Sequence, residues 1–312
     1  MEYILLIIGF VLLIKGADFF VDGASSIAGK LKVPSLIIGL TVVSIGTSMP
    51  EAAVSISASL GGTNAISLGN VIGSNLFNLL MVVGISALIF PVATDKDMLK
   101  RDMPFNIAIT VALCAMLLDG NLSRIDAVIL LLVLVAYMFI LIRSALRNRG
   151  NEEQTKVLSW VKSIIFVVLG LAAIIGGGNL VVENAKTIAL NLGMGETLVG
   201  LTIVAIGTSL PELVTSIVAA KKGNSGIAMG NAVGSCIFNI LFILGMAGVI
   251  KPMESEDAFI VDSAILILVS ALMLLFAFTK RKTVRWEGAV CVLIYAAYTA
   301  YIIMRAFGIW IF

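Results

Sequence analysis

Glu51 and Glu212 are the side chains most able to do chemistry, because each stands in apolar sequence directly after a proline. A proline inside a helix costs about 3 kcal/mol and deprives the carbonyl four residues back, Gly46 or Gly207, of its donor. A carboxylate near the bilayer centre costs a further ~2.5 to 3.5 kcal/mol on insertion scales. A chain that carries both, twice, has a use for broken helix beside a charge. The two glutamates lie in copies of one stretch, GLTVVSIGTSMPEAAVSIS from Gly39 and GLTIVAIGTSLPELVTSIV from Gly200. In each copy a Thr, a Ser and the Glu are spaced i, i+1, i+4 (Thr47, Ser48, Glu51 and Thr208, Ser209, Glu212), so hydroxyls and carboxylate converge on one side of a helix.

A second motif follows each first one, GNVIGSNLFNLL from Gly69 and GNAVGSCIFNIL from Gly230. Ser74 and Asn78, like Ser235 and Asn239, are four apart and set a hydroxyl and an amide on one face. Gly69 with Gly73, and Gly230 with Gly234, offer a small-residue face that lets another helix approach. Crossing near mid-membrane, the motifs would form a cage of carboxylate, amide, hydroxyl and carbonyl oxygens. Such a cage holds a cation and makes no bonds. The expectation is a transporter, not an enzyme, with no catalytic residue and no cofactor. Each residue also has a plainer reading: a membrane-helix hydroxyl ordinarily bonds its own backbone, and a small-residue pair or a lone Asn ordinarily packs helices together. Recurrence at matching positions favours ligation, most of all for the glutamates. Lys15, Asp18 and Asp22 read as structural, with Lys15 and Asp18 able to pair at i, i+3 and Asp22 near the inner end of its helix.

The donor set constrains the ion. The chain has no histidine, which removes imidazole ligands and histidine proton relays. Two carboxylates among flexible neutral oxygens suit a hard cation, and Ca2+ better than Mg2+, which demands a strict small octahedron and holds its water. They balance one Ca2+, or two Na+ with further Na+ on neutral oxygens. Competition for shared ligands is what an exchanger needs.

The elements that must position these residues follow from composition and repetition. With 60% hydrophobic and 13% charged residues and a mean hydropathy of +1.10, the chain is a multi-span membrane protein. A net charge of +2 gives no reason to expect nucleic acid. The apolar start, with Lys15 inside it and no basic region before it, reads as a retained first helix. Cys114, Cys236 and Cys291 all fall in apolar sequence and read as packing residues. Adding 161 to a residue number maps the first half onto the second without a gap, and 25 of the 53 positions from Gly39 to Pro91 are identical to their counterparts. Residues 1–151 and 162–312 are therefore two units joined by a hydrophilic cytoplasmic linker, 152–161. Apolar runs near 3–28, 34–60, 66–90, 102–118 and 124–146 predict five spans per unit. The expected fold is all-α and polytopic, ten transmembrane helices in two five-helix repeats. An odd span number makes the repeats inverted.

Loop charge points the same way. Sixteen Lys and Arg fall after odd-numbered spans and four, Arg124, Lys186, Lys251 and Arg305, on the other side. The positive-inside rule then puts both termini outside. Lys280, Arg281 and Lys282 correspond to Asp119, Gly120 and Asn121, as expected of equivalent loops facing opposite compartments.

At these motifs the chain resembles the sodium/calcium exchangers of the cation/calcium exchanger superfamily, over nearly its whole length. The resemblance implies a Na+/Ca2+ antiporter working by alternating access, with the long first and sixth spans as a sliding gate. It implies that Glu51 and Glu212 bind both ions, with side-chain ligands Thr47, Ser48, Ser74, Asn78, Thr208, Ser209, Ser235 and Asn239. Backbone carbonyls of Ser44, Thr47, Ala205 and Thr208 would complete the sites. Some members carry Asp at the position of Asn239, and the amide here implies K+ independence. The large cytosolic regulatory domain of animal members has no room in the linker, which implies a prokaryotic cell membrane. The expected partners are Na+, Ca2+ and the lipid bilayer, in a monomer that carries its one carboxylate pair internally. Two alternatives remain. A proton-coupled Ca2+ antiporter would use the same carboxylates, although such members tend to have Asn and no proline where this chain has GTSxPE. A cation channel would more naturally build its charged ring by oligomer symmetry.

Overall fold

The computed structural model describes residues 1–62, 65–147, 158–195, 199, 203 and 205–308. Residues 152–157 of the predicted linker and the start of the repeated motif at Gly200 lie outside the described residues. Helices dominate: α1 (Glu2–Leu31), α2 (Ser35–Thr47), α3 (Met49–Gly61), α4 (Ala65–Ile89), α5 (Met103–Leu117), α6 (Arg124–Arg147) and α7 (Trp160–Asn191), then α8 (Ala205–Thr208), α9 (Leu210–Lys221), α10 (Ser225–Ile250), α11 (Asp257–Lys280) and α12 (Arg285–Ala306). Among the described residues, seven of these are long and apolar enough to cross a membrane, or eight with α2 and α3 taken as one bent span. In α4 and α10, 72% and 78% of the apolar window is buried, which makes them the inner helices.

The sequence places its breaks where the helices break. Before Pro50 and Pro211, Ser48 (φ −83°, ψ 8°) and Ser209 (φ −92°, ψ 7°) leave helical geometry in the same way, and α2 and α3 meet at 49°. Proline then begins the next helix, where its missing N–H costs nothing. The Gly46 carbonyl is not left bare, contrary to expectation, because the N–H groups closing α2 turn back onto the Ser44 and Gly46 carbonyls. A tighter turn replaces the bond the proline removed. Two further breaks are π-helical turns, Asn78–Val82 and Asn239–Leu244, each beginning on a motif asparagine.

The two halves contact each other reciprocally. Val92–Ala93 (β1) pairs with Lys282–Thr283 (β4), and Asn121–Leu122 (β2) with Met253–Glu254 (β3). Adding 161 to β1 gives β3 and adding 161 to β2 gives β4, so the repeat relation exchanges the two ladders. Helices α1 and α7 are equivalent in the same sense and run antiparallel. A Cβ on Gly9 would lie 2.9 Å from the Gly177 carbonyl, one on Gly16 would lie 2.8 Å from that of Gly170, and one on Gly23 would lie 2.8 Å from that of Ser163. Glycine every seventh residue is what lets these backbones touch.

Two expectations need correction. Asp18 does not pair with Lys15, which is exposed. Lys222, at the end of α9, reaches over to α1 and takes both Asp18 (3.4 Å) and Asp22 (2.7 Å). The glycine faces also differ. A Cβ on Gly230 would meet the Leu36 carbonyl at 2.8 Å and one on Gly234 the Leu40 Cα at 2.8 Å, so α10 does receive α2 closely. Among the described residues a Cβ on Gly73 meets nothing within 4 Å and one on Gly69 only Phe259 at 3.6 Å. These two line a cavity.

Substituting Gly16→Ala should lower the melting temperature measured in detergent, because the methyl would press on backbone that cannot yield, at about 1–3 kcal/mol. Gly176→Ala, whose added Cβ meets nothing within 4 Å among the described residues, should leave it unchanged or raise it.

Candidate ion-binding site

The bent segments and the inner helices bring the repeated motifs into one place. Glu51 opens α3 and Glu212 opens α9, each just past its proline, and both are 0% exposed. Their first carboxylate oxygens are held across the halves. Ser209 Oγ donates to Glu51 Oε1 at 2.8 Å, and Ser48 Oγ donates to Glu212 Oε1 at 2.9 Å. Ser235 adds a longer bond to Glu212 Oε1, at 3.5 Å. One or two hydroxyls per carboxylate are far too little to stabilise a buried charge.

The remaining atoms state what is missing. Glu51 Oε2, Glu212 Oε2, Asn239 Oδ1, Thr208 Oγ1 and both amide atoms of Asn78 are buried without a hydrogen-bond partner among the described residues. Unpaired buried polar atoms are uncommon in native proteins and call for a reason. Here most are oxygens, supplied by motif residues, and two carry formal charge. The donor set fits a hard cation.

The other expected site residues are placed as follows. Ser74 (3% exposed), Ser235, Ser44 and Thr47 are buried beside these groups on α4, α10 and α2. Thr47 Oγ1 reaches three acceptors, Asn231 Oδ1 (2.9 Å), Val43 O (3.1 Å) and Ser44 O (3.3 Å). The Ser44 carbonyl accepts from Ser48 N at 3.0 Å and is the farthest of the three acceptors open to the single Thr47 hydroxyl proton, which leaves it capacity for a further contact. In the second half Ser209 N bonds Ile206 O at 3.2 Å, one residue later than the equivalent bond, which turns that donor away from the Ala205 carbonyl.

A family profile described as sodium/calcium exchanger protein matches residues 1–143 and again residues 162–304. The chain belongs to this family. It is 37% identical to the sodium/calcium exchanger MaX1 of Methanosarcina acetivorans, over 95% of this chain and 97% of that one. It is also 37% identical to the inner membrane protein YrbG of Escherichia coli, over 88% of each. A solved structure of the sodium-calcium exchanger NCX_Mj matches with a TM-score of 0.86 at 35% identity, covering 96% of this chain and 97% of that one. The protein is thus an all-helical, multi-pass membrane protein of an ion-exchanger family.

Within this exchanger, residues the sequence reading passed over support the motif side chains. Asn70 Nδ2 donates to the Glu51 carbonyl (3.2 Å) and Ser55 Oγ (3.0 Å), and Asn231 Nδ2 donates to the Glu212 carbonyl (3.2 Å) and Ser216 Oγ (3.0 Å). They pin the start of each glutamate helix to the inner helix of its own half. Their recurrence 161 apart, after Gly69 and Gly230, was the available signal. Asn75 had none, because Cys236 stands at the matching position.

Two cavities reach the site from one side. One, of about 550 Å³, is lined by Pro50, Glu183, Thr208 and Pro211, and the other, of about 710 Å³, by Asn70, Ser74, Thr208, Asp262 and Arg305. At their common wall the halves differ. Thr47 bonds Asn231, but the equivalent Thr208 hydroxyl has no partner among the described residues.

Glu51→Gln and Glu212→Gln should each weaken binding of Ca2+, the cation this donor set is expected to favour, by at least tenfold, which is about 1.4 kcal/mol. Calorimetric titration of purified protein measures this, and an unchanged elution profile in size-exclusion chromatography would show that the fold survives.

Proposed function

We propose that this protein is a secondary active antiporter that exchanges Na+ for Ca2+ across the cell membrane by alternating access, without K+. The observation that carries the reading is the pair of buried glutamates, each with one oxygen held by a hydroxyl from the opposite half and the other oxygen unpaired. The ligand set proposed is Glu51 and Glu212 with the side chains of Thr47, Ser48, Ser74, Asn78, Thr208, Ser209, Ser235 and Asn239, and the carbonyls of Ser44, Thr47, Ala205 and Thr208. MaX1 and NCX_Mj are themselves named sodium/calcium exchangers.

The inequality of the halves supports alternating access. Asn231 meets Thr47 on the side where α10 packs closely on α2, while Thr208 stands open to two cavities near Asn70, Glu183 and Arg305. Forming a Thr208–Asn70 contact while breaking Thr47–Asn231 would close one route and open the other. The antiparallel packing of α1 on α7 supports ten helices in two inverted five-helix units, 1–151 and 162–312, joined by a cytoplasmic segment at 152–161. With the loop charges, it favours both termini outside, so the open cavities face outward. The seam brings backbone directly against backbone at Gly9–Gly177 and Gly16–Gly170, which suits a sliding gate.

K+ independence rests on charge. The cage has two formal negative charges, which one Ca2+ balances, and Asn78 and Asn239 add none. A K+ bound beside Ca2+ would be an unbalanced charge in a dry site, at a cost of several kcal/mol.

Proteoliposomes loaded with Na+ and diluted into Na+-free medium should accumulate Ca2+ with no K+ on either side. Uptake that requires K+ would overturn the charge argument, and uptake that follows an imposed pH gradient and ignores Na+ would make the protein a proton-coupled antiporter instead.

A further inference from the structure

The amide of Asn239 has an orientation that its own surroundings do not fix, and Asn75 fixes it. Asn75 Nδ2 donates to the backbone carbonyl of Cys236 at 3.1 Å. A carbonyl only accepts, so the Asn75 amide can face it only with its NH2, which leaves Oδ1 pointing the other way. Into that Oδ1, Asn239 donates Nδ2 at 3.0 Å. The Asn239 oxygen is thereby turned away from Asn75, buried and with no hydrogen-bond partner among the described residues. A backbone carbonyl thus sets the polarity of two amides in series.

The equivalent chain in the other half is cut. Under the 161-residue relation Asn75 becomes Cys236 and Asn239 becomes Asn78. Cys236 reproduces the first link only weakly, with its Sγ donating to the Asn75 carbonyl at 3.7 Å, and a buried thiol is a poor acceptor for an amide. Asn78 accordingly has neither its nitrogen nor its oxygen paired. Both asparagines begin a π-helical turn and both are 0% exposed, so the difference lies in the second residue of the relay.

We propose that Asn75 is a positioning residue for ion binding: it holds the Asn239 amide with its oxygen toward the cation, while Cys236 leaves the Asn78 amide unclamped. The cage is then preorganised on one side and adaptable on the other. The inference rests on the ion cage described above. An amide presenting NH2 to a cation repels it, so a clamp that forbids that rotamer acts on affinity. A residue that only glued helices would act on the amount of folded protein.

The test is Na+-driven Ca2+ uptake against Ca2+ concentration for the unmodified protein, for Asn75→Cys, and for the exchanged pair Asn75→Cys with Cys236→Asn. The single variant should raise half-saturating Ca2+ by several-fold to about tenfold with the maximal rate little changed. The exchanged pair moves the clamp onto Asn78 and should return half-saturation to within about threefold of the unmodified protein. Half-saturation unchanged in Asn75→Cys, or not restored in the exchanged pair, would overturn the inference. If the single variant fails to fold, half-saturation of the exchanged pair decides alone. Absence of Na+-driven uptake in the unmodified protein would instead overturn the functional reading beneath it.

Discussion

The structure depends on two hydrogen bonds, Ser209 to Glu51 and Ser48 to Glu212. Each half presents a carboxylate and the other half supplies its hydroxyl, so neither half alone completes the site. The serines can do this because they are the residues at which the helices break. At Ser48 and Ser209 the backbone has just left helical geometry ahead of the proline, and the side chain at such a corner can project across the interface. The proline that costs helix stability and the glutamate that costs burial are thus two parts of one arrangement.

Around that pair the protein is nearly symmetric, and the departures carry the functional information. The β ladders exchange under the repeat relation, as do the Gly9–Gly177 and Gly16–Gly170 contacts of α1 and α7 and the Asn70 and Asn231 braces. Thr47 and Thr208 do not match, nor do the glycine faces of α4 and α10, nor Asn75 and Cys236. The first two differences concern which side of the site is open. The third concerns how firmly the Asn239 and Asn78 amides are held.

Much of this was legible in the sequence, for identifiable reasons. A repeat with no gap exposes every position where the same polar residue recurs in apolar surroundings, and Glu51, Ser48 and Asn78 with their counterparts were found that way. The resemblance to the exchanger family is read from the same two motifs. Asn70 and Asn231 recur equally, but an Asn beside a glycine has an ordinary packing role and was passed over. Asn75 could not be found by repetition, since it matters because its counterpart differs. Asp18 was given the wrong partner because Lys222 is about 200 residues away and local spacing cannot register it. The fate of the Gly46 carbonyl depended on a tightened turn, a geometric response that follows from no residue type.

The most direct measurement of the central claim is anomalous scattering from Sr2+, a heavier stand-in for Ca2+, diffused into crystals of the protein. The account predicts one strong peak about 2.3–2.6 Å, the usual Ca2+–oxygen range, from oxygens of both Glu51 and Glu212. That peak should fade as Na+ is added. A peak that touches only one glutamate, or one that Na+ does not diminish, would contradict a shared cage in which the two cations compete.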